Sequence, residues 1–215
     1  MTKPAICLAA LGMILGSAVF AEGPAPFTVI SPIFGQLVAF SMPSSFVVIG
    51  ENTNGPSYIR EAVLKGESAS RWTQMITVTG AKDLAANPKV SPETFAASIA
   101  GGFRSACPDT FAVKAVGPTK FGDQDGHVQD AYVAIAGCGS VASSVDKHSE
   151  TALIVAVKGS TDYYTLQWAE RAPGSGKAVI DEAKWLARLH QLQPIRLCPI
   201  VAGERAPYPS CVSKG

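Results

Sequence analysis

Two histidines lie close to acidic residues in segments that the sequence predicts to be loops, and such neighbours could do acid–base chemistry. His127 and His148 each have acids on both sides, namely Asp125, Asp130, Asp146 and Glu150. A histidine held by an acid can activate a serine as a nucleophile. No Gly-x-Ser-x-Gly motif singles out a serine in this chain. Because loop histidines beside acids are usually solvated, a hydrolase that uses one of them is the weakest of the hypotheses considered.

The motifs that come closest to a metal or phosphate site do not fit either chemistry. The segment "DQDGHVQD" carries three aspartates but lacks the late glutamate of a calcium loop. The segment "PGSGKA", residues 173–178, resembles a phosphate-binding loop, yet Ala178 stands where that motif requires Ser or Thr, and its first glycine is missing. We therefore expect no cofactor, no metal ion and no nucleotide.

Four cysteines follow the N-terminal segment, namely Cys107, Cys138, Cys198 and Cys211. An even number in an exported chain predicts two disulfides, although four cysteines allow three pairings. We favour Cys107–Cys138 and Cys198–Cys211. The second pair closes a short loop with three prolines, which cannot pair as a regular strand and so needs a covalent tie. A zinc site is less favoured because the chain has no Cys-x-x-Cys pair.

The first 21 residues have the order of a secretory signal. Lys3 precedes an apolar run that ends on small residues, the last of them Ala21. A membrane-spanning helix needs about 20 apolar residues, and this run is shorter. We expect cleavage after Ala21, so that residues 22–215 form one domain in the periplasm or outside the cell. No later segment is apolar enough to span a membrane.

The charges of the chain exclude two classes of partner. The 18 basic and 17 acidic residues come into balance once Lys3 leaves with the signal, and no basic cluster remains. Nucleic-acid binding and binding to anionic lipid both depend on such clusters. We therefore expect neither, and the partner we expect is another exported or envelope protein.

Alternating and continuous apolar runs predict eight strands, and cap signals predict two helices. The strand segments are "QLVAFSMP", "SFVVIGEN", "YIREAVL", "RWTQMITVT", "TFAVKAV", "DAYVAIAGC", "TALIVAVKG" and "DYYTLQWAE". The first helix is expected from Ser91, a good cap, to Cys107, and the second from Lys177 to Gln193. Val179, Ala183, Leu186 and Leu189 would form the buried stripe of the second helix. Residues 22–35 are interpreted as an extended lead-in.

Trp72 follows the turn Lys65-Gly66-Glu67-Ser68 and opens the fourth predicted strand. Period-2 alternation would place it on one face with Ile76 and Val78. A tryptophan at this position either fills the core, with its N–H near the rim, or contacts a ligand. The core interpretation is favoured because aromatic side chains in such positions mostly fill interfaces between sheet and helix.

The order of elements from residue 58 to residue 171 resembles the PsbP-like fold, which the photosystem subunit PsbP shares with the DcrB lipoproteins. The shared features are a strand ending in Lys-Gly-Glu, a tryptophan that opens the next strand, and a helix from Ser91 to Cys107-Pro108 before further strands and a long helix. The resemblance implies an α/β/α sandwich, with a central, largely antiparallel sheet between helices. The order of strands and helices also indicates an α+β domain.

The resemblance further implies a role in binding or assembly, with no catalytic residues to carry over. We therefore expect a non-enzymatic exported (periplasmic) protein. Its candidate contact surface is the disulfide-clamped tail, residues 194–215, in which Glu204, Arg205 and Tyr208 lie between Cys198 and Cys211. An inhibitor of a secreted hydrolase that presents this loop is the first alternative. The other interpretation, which is slightly favoured, is that the disulfide only ties down the chain terminus.

Overall fold

The computed structural model of the chain describes residues 25–122, 128–141 and 147–212. The expected signal, residues 1–21, lies outside the described residues. So do His127, Asp125 and Asp146, and with them most of the segment "DQDGHVQD".

Within the described residues the chain forms ten strands and two α-helices, with short 3₁₀ turns at Leu84–Ala86 and Pro209–Cys211. The strands before the first helix are β1 (Phe27–Ile33), β2 (Gln36–Met42), β3 (Phe46–Asn54), β4 (Ser57–Leu64) and β5 (Gln74–Ala81). The elements that follow are α1 (Pro92–Ala106), β6 (Phe111–Gly122), β7 (Val128–Cys138), β8 (His148–Lys158), β9 (Tyr163–Pro173), α2 (Glu182–Leu192) and β10 (Arg196–Pro199). All eight predicted strand segments contribute to β2–β9.

The strands form two antiparallel sheets. The large sheet has seven strands in the order β3-β4-β5-β9-β8-β7-β6, so that β3 and β6 are its edges. The small sheet has three strands in the order β1-β2-β10. Its central strand β2 pairs Phe40 with Val29 of β1 and Val38 with Leu197 of β10.

The expected α/β/α sandwich is wrong. The described chain is mostly β, with 51% strand against 18% helix, and its two helices do not form two covering layers. Helix α1 covers one face of the large sheet, whereas the small sheet covers the other face together with α2. The error arises at the chain ends, because the lead-in and the tail each contribute a strand, and both strands pair with β2.

The main core lies between the large sheet, the small sheet and α2. Its fully buried side chains include Ile76, Leu166 and Trp168 of the large sheet and Leu192 of α2. Helix α2 is shorter than predicted, because Asp181 accepts a hydrogen bond from the Lys184 backbone N–H and caps the helix there.

The predicted buried stripe of α2 is also wrong in part. Val179 lies before the helix and is 86% exposed, and Ala183 is exposed on the helix surface. The buried side chains of α2 are Trp185, Leu189 and Leu192. Leu189 was assigned correctly as buried, and Leu186 is partly buried against the main core. Val179 was assigned wrongly because the helix begins after it, at Glu182.

Helix α1 begins and ends where its cap signals indicate. The Ser91 hydroxyl accepts a hydrogen bond from the Thr94 backbone N–H, and the Thr94 hydroxyl accepts one from the Ser91 N–H. The buried residues of the helix are Ala96 and Ala100. Small residues at these positions let the helix backbone approach the sheet closely.

The described residues form two disulfides, Cys107–Cys138 and Cys198–Cys211, which are the two pairs favoured from the sequence. The first ties the end of α1 to the end of β7, and the second ties β10 to the C-terminal 3₁₀ turn. Disulfides persist in oxidising compartments, so they indicate a location outside the cytoplasm. Among the described helices, none is long and apolar enough to cross a membrane.

Candidate functional site

Helix α1 is too narrow to cover its face of the large sheet. A helix with its side chains is about 10 Å wide, and neighbouring strands lie about 4.8 Å apart, so one helix covers about two strands. The contacts of α1 are mainly with β7 and β8. The edge strand β6 therefore lies beside the helix rather than beneath it.

An open groove of about 330 Å³ runs between α1 and β6. Its α1 wall and its sheet floor consist mainly of small or apolar residues with one charged residue at each end of the wall. The wall is formed by Glu93, Ala97, Ala100, Gly101 and Arg104, and the floor by Phe111, Val113, Ala115, Tyr132 and Ala134. We call this feature the α1–β6 groove.

The register of β6 determines which of its side chains face the groove. Val113 pairs with Ala136 and Ala115 with Ala134, so that alternate residues from Phe111 onward lie on the α1 side. Val113 is 48% exposed there. Lys114 lies on the opposite face, where its ammonium group is 3.1 Å from the Glu182 carboxylate of α2. The groove floor is therefore apolar along the first half of β6.

The outer edge of β6 pairs with no strand among the described residues. A β-bulge between Ala115 and Gly117, followed by Pro118 and Lys120, protects the second half of this edge against further pairing. Just before the strand, the Ala178 N–H donates a hydrogen bond of 3.0 Å to the Thr110 carbonyl oxygen. Residues 111–115 are left as a short edge to which another strand could be added.

The two ends of the α1–β6 groove carry opposite charges. The Arg104 guanidinium carbon lies 5.1 Å from the centre of the Phe111 ring, at the start of β6. At the other end the Tyr132 hydroxyl donates to the Glu93 carboxylate over 3.5 Å. Burial, together with the Glu93 charge, raises the pKa of the Tyr132 hydroxyl above its usual value.

Trp72 lies outside the groove and is 7% exposed, as the core interpretation expects. It packs with Val63 and Met75, and the guanidinium carbon of Arg171 lies 3.7 Å from its ring centre. The expectation that it shares a face with Ile76 and Val78 is wrong, because those two side chains belong to the main core on the opposite face. Trp72 precedes the first residue of β5, so the alternation does not extend to it.

The candidate catalytic histidine within the described residues, His148, lies at the start of β8. Its Nε2 atom is 3.8 Å from the Glu150 carboxylate. That carboxylate also accepts a 2.8 Å hydrogen bond from Arg171, the residue that stacks on Trp72. Glu150 thus contacts both His148 and Arg171, and Arg171 in turn stacks on Trp72. In the described portions of the chain, no group of three or more His, Cys, Asp or Glu side chains could hold a metal ion.

The C-terminal loop covers the outer face of the small sheet. Leu37 and Ala39 of β2 are fully buried beneath the Cys198–Cys211 disulfide, with Tyr208 packed against the same cluster.

The three candidate contact residues of this loop differ in their roles. Glu204 accepts hydrogen bonds from the Ser210 backbone N–H at 2.8 Å and from the Ser210 hydroxyl at 2.5 Å. Tyr208 is half-buried against the small sheet, and Arg205 is exposed. Two of the three side chains therefore hold the loop in place, which favours its interpretation as a tie.

The sequence interpretation missed the α1–β6 groove, although some signals for it were present. "TFAVKAV" was recognised as a strand, but the Gly117-Pro118 pair and Lys120 that follow are typical of an edge strand. Gly101 in α1 is a second such signal. Small residues on the side of the helix that faces an edge strand leave room for a ligand.

No family model matches this chain, and no curated protein matches it.

Proposed function

We propose that this chain is a non-enzymatic binding or assembly protein of the periplasm, and that it captures an extended segment of another exported or envelope protein. The segment would be added to the edge of β6 and lie in the α1–β6 groove. Its backbone would pair with residues 111–115, and every second side chain would face α1. This mode of recognition takes its affinity from main-chain hydrogen bonds and its specificity from alternate side chains.

The observation that carries the proposal is the combination of an adjoining apolar groove and a sheet edge that pairs with no other described strand. An edge strand alone is a feature of every open sheet, and β6 carries several devices that limit pairing. Those devices lie after Ala115, however, and the groove lies alongside the residues before it. The unprotected part of the edge thus coincides with the part that has a pocket for side chains.

The exported location supports the same proposal, since the two disulfides agree with an oxidising compartment. The resemblance to PsbP-like proteins also suggested a role in binding. Because the sandwich expected from that resemblance is wrong, the proposal rests on the groove instead.

Two adjacent glycines offer a matched test. A Cβ atom added at Gly101 or at Gly102 meets nothing within 4 Å, so both positions accept a larger side chain. Gly101 lines the α1–β6 groove, whereas Gly102 does not. Gly101→Leu should fill the groove, and Gly102→Leu should leave it open while changing the helix composition equally.

The test is capture from periplasmic extract with oxidised mature protein. We expect wild type and Gly102→Leu to retain the same partner and Gly101→Leu to lose it. In the captured complex, hydrogen exchange should show new protection of the β6 amides. A double variant, Arg205→Ala/Tyr208→Ala, should capture the partner normally. If only that double variant loses the partner, the tail is the contact surface and the inhibitor hypothesis replaces this one.

A second copy of the chain is the other possible occupant of the groove. Sedimentation of purified wild type decides this point, because the proposal expects a monomer. A dimer that Gly101→Leu dissociates and Gly102→Leu preserves would show that the groove serves self-assembly, and the proposal would then be wrong. Equal capture by all four proteins would also reject it.

A further inference from the structure

The direction of α1 relative to β6 gives the groove a defined polarity. Arg104, near the C-terminal end of α1, lies over Phe111, the first residue of β6. Glu93, near the N-terminal end, contacts Tyr132, which pairs with Pro118 further along β6. The helix and the edge strand thus run in opposite directions, with a cation beside the start of β6 and an anion beside its middle.

The strand spacing matches the distance between these charges. Glu93 and Arg104 are eleven residues apart in a helix, which corresponds to about 16 Å along its axis. Side chains four residues apart on one face of a strand are separated by about 13–14 Å. Long charged side chains can bridge the difference of a few ångströms between this spacing and the distance from Glu93 to Arg104. An added strand could therefore place one side chain near each charge.

The middle of the groove suits an aliphatic side chain. Its floor there is Val113 with Ala134 beside it, and its wall is Ala97 and Gly101. None of these residues offers a polar side chain to a ligand. Burying a charge at this position would therefore cost free energy without a compensating partner.

We infer that the preferred ligand is an extended segment with the pattern basic-x-aliphatic-x-acidic, bound antiparallel to β6. The basic residue lies opposite Ala115 near Glu93, the aliphatic residue opposite Val113, and the acidic residue opposite Phe111 near Arg104. Antiparallel pairing continues the arrangement of the whole large sheet and is slightly more stable per residue than parallel pairing. This inference rests on the proposed function and specifies the ligand class of the same groove.

The test uses two blocked peptides of identical composition. The forward peptide is acetyl-Ser-Lys-Thr-Val-Thr-Glu-Ser-amide, and the reversed peptide exchanges the lysine and the glutamate. Affinities are measured by NMR titration of the oxidised mature protein. Exposed ion pairs are weak, so we expect wild type to bind the forward peptide about fivefold more tightly than the reversed one. Shift changes should concentrate on residues 111–115 and on α1.

The charge-swapped variant Glu93→Lys/Arg104→Glu provides the control, and it should prefer the reversed peptide. Each preference is a ratio measured on one protein, so any weakening of α1 by the swap cancels. Equal affinity of both peptides for wild type, or an unchanged preference in the swapped variant, would overturn the inference while leaving peptide capture intact. Failure of both peptides to bind would overturn it too, and the matched glycine variants would then decide separately whether the groove captures any partner.

Discussion

The two faces of the large sheet are covered in opposite ways. On one face the small sheet and α2 enclose large side chains, so that Trp168, Tyr164 and Leu166 are almost completely buried. On the other face, the side chains of the single helix that are buried against the sheet are alanines, Ala96 and Ala100. They pack on Ala136, Ile154 and Ala156, with Phe95, Ile99 and Phe103 of α1 partly buried beside them.

The difference teaches how one domain can separate stability from binding. Large buried side chains supply most of the hydrophobic free energy, and most of the largest fully buried side chains belong to the core on the small-sheet face. Alanine contacts supply less, but they allow close approach and leave the flank of the helix open. The less covered face is therefore the one with room for a ligand, and its loss of packing is tolerable because the other face holds the fold.

The largest expected effect is that of Trp168→Ala, which should lower the free energy of unfolding by about 3–5 kcal/mol, as large core truncations do. The ring is 1% exposed, packs edge-on against Phe46 at 5.2 Å, and has Arg188 4.6 Å from its centre. Urea unfolding followed by circular dichroism measures the change.

Trp72→Ala is the matched comparison on the α1 face. It should lower the free energy of unfolding by about 3 kcal/mol, which is less than the effect of Trp168→Ala. A greater loss at Trp72 would reverse the assignment of stability to the two faces. An unchanged melting temperature with lost partner binding would instead make Trp72 a ligand-contacting residue.

Removal of the Cys198–Cys211 disulfide tests whether the small sheet needs its own cover. The bridge closes a separation of 13 residues, for which the chain-entropy relation predicts about 3 kcal/mol. Cys198→Ala/Cys211→Ala should therefore lower stability by about that amount and expose Leu37 and Ala39 to a hydrophobic dye. Partner capture should persist. Lost capture at full stability would identify the tail as a binding site.

Asp162, just before β9 of the large sheet, hydrogen-bonds to the turn between β1 and β2 of the small sheet. Its buried carboxylate accepts hydrogen bonds from the Gly35 N–H at 3.0 Å, the Asp83 N–H at 2.8 Å and the Tyr164 hydroxyl at 3.2 Å. Burial alone would raise the pKa of Asp162, but these donors outweigh it and hold the pKa below its usual value. Asp162→Asn replaces one carboxylate oxygen with an NH₂ group, which cannot accept a hydrogen bond from these donors. The substitution should lower the free energy of unfolding by about 1–3 kcal/mol.

The pH dependence of stability gives a second measurement at Asp162. A lowered folded-state pKa stabilises the protein fully above the unfolded value of about 4, and the contribution is lost as the pH falls through the folded-state pKa. The melting temperature of Asp162→Asn should therefore fall less steeply than that of wild type below about pH 4. Asp109→Asn, at an exposed position, is the control. Parallel curves for wild type and Asp162→Asn would contradict this account.

The smallest expected effects are increases in stability from substitutions on the α1 face. Gly101→Ala and Gly102→Ala should each raise the free energy of unfolding by up to about 1 kcal/mol, because alanine is the better helix former and its Cβ meets no atom within 4 Å at either position.

Gly80→Ala on the covered face is the contrasting variant, since its Cβ would lie 2.7 Å from a methyl group of Ile33. We expect it to destabilise the protein by about 1–3 kcal/mol. Thermal unfolding separates the two results, and similar behaviour at Gly80 and Gly101 would break the contrast between the faces.

The features that the sequence alone determined are local. Ser91 and Pro92 start α1 and Cys107 ends it, because caps act within one helical turn. The eight strand segments were recognised because a pleated strand repeats every two residues. The favoured Cys198–Cys211 pairing also depended on a short loop rather than on distant contacts. None of these inferences required knowledge of which strand lies beside which.

The tertiary structure decided the architecture and the groove. β1 and β10 come from opposite ends of the chain and pair with the same strand, and no local pattern encodes a contact over that separation. The edge position of β6, the side on which Trp72 packs and the neighbours of Glu93 and Arg104 follow from strand order and register. These depend on how all apolar faces are buried together, so a sequence read segment by segment shows a strand and a helix but not the space between them.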